Sequence, residues 1–192
     1  MRLLRSGLSR KDVQQRSTEL AEALFRNIPS GVGSSRKDLK LNKKELKKVL
    51  STGVAWTLKN GYGTPEDQSY IEAEGCISDA DPDKISDRAL ERGGNQLGTL
   101  GSGNHFLEIG FVEEVYDAEA AAVMGLEKDQ ATVLIHTGSR GLGHQVCDDY
   151  ISIMLKAAER YGIQLPDRQL CCAPVDSTEG RAYLGAMAGG AN

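Results

Sequence analysis

The sequence predicts an α+β chain, with a mixed sheet core and flanking helices. Three observations carry that expectation. Apolar residues recur at helical spacing over residues 10–28, 43–59 and 146–161. Residues 105–116 and 131–135 read as strands, the first by alternation and the second as a short unbroken apolar run. Glycine crowds two segments that abut those strands, GGNQLGTLGSGNHFLE at 93–108 and HTGSRGLGH at 136–144. Such density marks loops where the backbone turns sharply or approaches something closely.

The first predicted helix, 10–28, carries Leu20, Leu24 and Ile28 on one stripe with Val13, Ala21 and Phe25 beside it, and ends before Pro29. The second, 43–59, follows Asn42 with Glu45 three residues on, the pattern of a capping box. Leu46, Leu50, Val54 and Leu58 form its stripe, and Lys43, Lys44, Lys47 and Lys48 stay outside. Residues 61–80 show no period. A short helix is expected from Pro82, capped by Asp81, to Arg92, with Gly93 past its end. The helix at 146–161 should turn Cys147, Tyr150, Ile151, Met154, Leu155 and Ala158 inward and end at Gly162. Another starts near Glu179.

A chain of 192 residues, 40% hydrophobic and 26% charged, fits one globular domain or part of a larger one. No apolar run approaches spanning length, and MRLLRSGLSRKD lacks the apolar core of a signal peptide. Cys76, Cys147, Cys171 and Cys172 show no CxxC spacing, so a reduced, cytoplasmic protein is expected. The net charge of −4 hides an asymmetry: residues 1–60 hold 14 Lys+Arg against 5 Asp+Glu, and the remainder holds 9 against 22. That basic third reads either as a nucleic-acid face or as solvated helix surface.

All three histidines, His105, His136 and His144, lie in the two glycine-rich segments. His105 and His136 each stand where a strand meets a loop. Imidazoles so placed can share a transition metal, or can be hydrogen-bonded structural residues. No third ligand lies within sequence reach. Asn104 suits a phosphate or carbonyl, and Glu108 suits a partner that orients a histidine, or either faces water at a strand edge. The TGSRGLG stretch, 137–143, joins a strand to a helix and offers backbone N–H groups and Arg140 to an anion, or is simply a tight turn. It is neither a Walker loop nor a dinucleotide fingerprint. Arg92 reads as a second phosphate contact or as a helix C-terminal cation.

The segments LERGGNQLGTLGSGNHFLEI, 90–109, and VLIHTGSRGLGHQV, 133–146, together resemble the RtcB family of RNA-splicing ligases, and NIPSGVGS and MRLLRS also look like family sequence. The likeness covers essentially the whole chain and implies a single partial RtcB-like domain over 1–192, part of the larger RtcB fold. It implies an enzyme that joins RNA ends bearing a 2′,3′-cyclic phosphate or 3′-phosphate to a 5′-hydroxyl, using GTP and Mn2+. In that chemistry a histidine is guanylylated, the guanylate passes to the 3′-phosphate, and the 5′-hydroxyl displaces GMP.

By resemblance, His105 and His136 match manganese ligands, and Asn104, His105, Phe106, Leu107 and Glu108 match the segment that contacts the guanylate. Asn104, His105 and His136 become the catalytic set and Arg140 an RNA-phosphate contact, to which Arg92 is added on its place just before the glycine-rich stretch and not by the resemblance. Implied partners are tRNA exon halves or broken RNA ends, and an archease-type activator. In the family an Asp-x-x-Cys-Gly segment precedes the part matching Met1, and a further metal histidine and the guanylylated histidine follow the part matching Asn192. The chain therefore reads as a middle piece of a longer enzyme, inactive alone. One rival is a catalytically dead RNA- or phosphate-binding fragment. The other is a small metal-dependent hydrolase, which too few ligands disfavour.

Overall fold

The computed structural model describes residues 1–192. The fold is α+β, as expected, but the sheet is not mixed: helices accompany one three-stranded sheet in which both pairings are antiparallel. The chain divides into two compact units, Met1–Arg36 with Gly98–Gly138, and Lys37–Leu97 with Ser139–Asn192. No helix is long and apolar enough to cross a membrane. All four cysteines are free.

The first unit opens with a strand that sequence patterning missed, β1 (Arg2–Ser9). Its leucines do not alternate in and out: Leu3, Leu4 and Leu8 are all exposed, so no two-residue period is written into RLLRSGLS. The expected helix 10–28 is two helices, α1 (Arg10–Gln15) and α2 (Ser17–Asn27), broken at Arg16. Ser9 and Asp12 close a capping box on α1. Strand β2 (Phe106–Phe111) is shorter than expected and excludes His105. α7 (Ala118–Met124), capped by Asp117, follows it, and then β3 (Gln130–His136). Strand order is β1-β3-β2, with Leu3 opposite Leu134 on one side and Phe106 opposite His136 on the other. Arg10 ties the far end of this sheet together, bonded to Glu113 and Asp129 and lying 5.0 Å over the Phe111 ring.

The second unit holds the largest buried cluster, and it is helical. The expected helix 43–59 breaks at Gly53 into α3 (Lys43–Thr52) and α4 (Val54–Lys59). The Asn42–Glu45 capping box forms as read. A single turn, α5 (Pro65–Gln68), follows. Asp81 caps only a 3-10 turn, Pro82–Lys84, because Ser86 starts a separate helix, α6 (Asp87–Gly93). Gly93 is thus the last residue of that helix and not the one beyond it.

α8 (Arg140–Arg160) starts six residues before the expected 146, so most of TGSRGLG is helix. Its buried line runs Leu142, Val146, Tyr150, Met154 and Ala158, with Gln145 and Ala157 beside it. Tyr150, Met154 and Ala158 are buried as expected, whereas Cys147 and Ile151, also expected inside, are exposed, because the buried line passes through Val146 and Tyr150 beside them. α9 (Thr178–Ala191) begins at the Ser177 cap. Leu46, Leu50, Ile85, Ala89, Leu90, Leu142, Val146, Tyr150, Met154 and Ala186 make one core between these elements.

Tyr150 is the polar exception in that core. Its hydroxyl donates to the Lys84 carbonyl at 3.0 Å. Burial, then the negative charges of Asp81 and Asp149, hold its phenol above the ordinary value of 10. The folded chain therefore keeps this proton to higher pH than the unfolded chain does. The stabilisation is fully present below the unfolded value, about 10, and is lost as pH rises through the raised folded value. Tyr150→Phe should reduce the alkaline fall in Tm between pH 9 and 11. At pH 7 it should cost about 0.5–1.5 kcal/mol for the lost hydrogen bond. An alkaline limb identical to that of the parent would rule this out.

Candidate functional site

In the first unit the two histidines come together. His136 ends β3, and β2 begins opposite it at Phe106. Directly opposed residues of an antiparallel pair project to the same face, so Phe106 meets His136 edge-on, with ring centroids 5.3 Å apart. His105 lies one residue before the strand. In an ideal extension it would point to the opposite face. The glycine turn before it removes that constraint, and its ring stands 6.0 Å from that of His136, tilted by 48°. The Nε2 atom of His105 lies against Gly138, 3.7 Å from where a Cβ would stand. Thr137 donates from its hydroxyl to the Leu100 carbonyl at 2.6 Å, and Gly31 N–H donates to the Gly101 carbonyl at 2.7 Å. These bonds pin the two turns that carry the imidazoles.

A transition metal about 2 Å from one nitrogen of each imidazole fits between rings at this spacing. No third His, Cys, Asp or Glu joins them in a cluster that could hold a metal ion. The remaining members of the 104–108 segment are spread out. Asn104 is exposed, Leu107 is half-buried in register with Ile135, and Glu108 is exposed opposite Leu134. His144 is on α8, exposed, with its Nδ1 3.3 Å from Asp148.

In the second unit, Arg140 opens α8 with a φ of 52°. A branchless glycine tolerates that region, whereas an arginine there costs of order 1–3 kcal/mol. One N–H in the N-terminal turn of α8 is already taken. The Gly141 N–H already donates to Oε1 of Gln96, at 2.7 Å. A Cβ at Gly141 would fall 2.7 Å from that same oxygen, so only glycine lets the carboxamide in. Ser139 donates from Oγ to the Gly190 carbonyl. Arg92, in the last turn of α6, donates from Nη1 to Oε1 of Gln145 at 2.8 Å. Gln96 and Gln145 lie inside the two resembling segments, but neither is given a role there. Each acts on a residue distant in sequence, 45 positions away for Gln96, which is why reading along the chain passes over them.

The family model described as "tRNA-splicing ligase RtcB" matches residues 1–192. The chain is similar over its whole length to curated tRNA-splicing ligases RtcB. It is 55% identical to that of Methanocaldococcus jannaschii, 49% to that of Methanococcus maripaludis and 48% to that of Archaeoglobus fulgidus. It spans 20% of the first relative and 40% of the other two. Matched from end to end by the family model, this chain belongs to the RtcB family of tRNA-splicing ligases.

Proposed function

We propose that the chain carries part of the metal and phosphate apparatus of an RtcB-type RNA ligase. Such an enzyme joins 2′,3′-cyclic-phosphate or 3′-phosphate RNA ends to 5′-hydroxyl ends with GTP and Mn2+. The observation that carries this reading is the approach of His105 and His136 to 6.0 Å. Imidazole nitrogens suit a first-row metal, and Phe106 packs on one side of His136 and restricts its ring. Asn104, exposed beside His105, is placed on the guanylate with the segment through Glu108. Manganese, when bound, neutralises charge on the transferring phosphoryl group. The chain's own work is to hold two imidazoles at fixed separation.

Arg140 and Arg92 take RNA phosphates. The unfavourable φ of Arg140 supports that role, since backbone strain in a non-glycine residue concentrates at functional positions. Arg140→Ala should weaken binding of a 3′-phosphorylated RNA oligonucleotide. It should also lower the slope of log K against log salt by about 0.7, the value for one single-strand phosphate contact. An unchanged slope would make Arg140 a loop residue only. The rival reading, an RNA-binding fragment without turnover, is favoured by the absence of a third ligand near the histidines. Salt-dependent binding with no joined product from this 192-residue polypeptide would support it.

A further inference from the structure

A chain of hydrogen bonds runs from the start of α6 to its end by way of α8. Ser86 accepts from the Ala89 N–H at 3.2 Å as the cap of α6, and its own hydroxyl donates to Asp149 Oδ2 at 2.6 Å. The other oxygen of Asp149 accepts from Nε2 of Gln145 at 2.8 Å. Oε1 of Gln145 accepts from Arg92 Nη1 at 2.8 Å. Gln145 is only 4% exposed, and a buried amide left without partners is costly.

The direction of the chain is dictated by its ends. Guanidinium only donates and carboxylate only accepts, so the link between them must do both. A carboxamide does, while an acid at 145 would set two carboxylates side by side. The stem of Arg92 passes beside Gly141, where a Cβ would stand 3.4 Å from its Cβ and 3.5 Å from its Nε.

We propose that Gln145, held by Asp149, is a positioning residue for Arg92: it fixes the guanidinium through one Nη donor so that the arginine meets an RNA phosphate already oriented. This rests on the reading of Arg92 as a phosphate contact. An arginine side chain loses much rotamer freedom when it binds, and a buried acceptor removes part of that cost beforehand.

The test uses the full chain and a 3′-phosphorylated single-stranded RNA. Affinity and Tm are measured for Arg92→Ala, Gln145→Leu, the double variant Arg92→Ala with Gln145→Leu, Gln145→Glu, and the pair Gln145→Glu with Asp149→Asn. Gln145→Leu should weaken RNA binding roughly three- to tenfold, the range for one hydrogen bond. It should have no further effect in the Arg92→Ala background, because it acts through that side chain. Gln145→Glu alone should also bind poorly. Adding Asp149→Asn should restore affinity, because the new amide can donate to the new carboxylate and still accept from Ser86.

An equal loss from Gln145→Leu with and without Arg92, or failure of the pair to recover affinity, would overturn the proposal. If Gln145→Leu does not fold, the comparison of Gln145→Glu with the pair decides it. If Arg92→Ala leaves RNA binding unchanged, the phosphate reading of Arg92 falls first. If Arg92→Ala weakens binding and Gln145→Leu does not, only the positioning role falls.

Discussion

Gly53→Ala should destabilise the second unit by at least about 3 kcal/mol, a change in Tm or denaturant midpoint large enough to read by circular dichroism. Helix propensity predicts the opposite sign. In an unbroken helix over 43–59, replacing a central glycine by alanine would gain about 1 kcal/mol. The structure breaks the helix there, with Gly53 at φ 51° and ψ −129°. This conformation is strained for any residue with a Cβ. The added Cβ would also fall 2.1 Å from the Gly75 carbonyl oxygen. That atom is backbone and cannot rotate away, so the chain must shift or the turn must open. A stabilised variant would mean that 43–59 is one continuous helix in solution.

His136→Ala should remove Mn2+ binding from this chain, and His105→Ala should do the same. On the proposed reading only two imidazoles are in reach, 6.0 Å apart, and each would supply half of the protein ligands. Affinity rests on ligand number and charge, so the parent should bind weakly, in one step. Losing either imidazole should cost more than the roughly 10–100-fold typical of residues outside the ligand set. Calorimetry or manganese electron paramagnetic resonance reads this directly. Tight binding of two Mn2+ per chain would show that other residues supply ligands. An isotherm unchanged by His136→Ala would remove the histidine pair from the metal site.

Local chemistry was legible along the chain. Asn42 and Glu45 announced the capping box that starts α3, because both partners of a cap lie within one turn. The alternation over 105–116 and the short apolar run at 131–135 announced β2 and β3, the first longer than the strand that forms, because a half-buried strand writes its burial into adjacent residues. His105 and His136 stood out as a pair through their matching strand-and-glycine contexts, and the likeness to RtcB ligases rested on the same segments. What escaped has a common cause, which is that the partner lies far away in sequence. β1 is a strand because β3 pairs with it, not because RLLRSGLS alternates. The helix at 43–59 breaks because the Gly75 carbonyl packs against Gly53. α8 begins at Arg140 because Gln96 caps Gly141 from 45 residues upstream. Gln145 could turn inward only where Arg92 and Asp149 meet it, and such a meeting exists only once α6 and α8 have packed together.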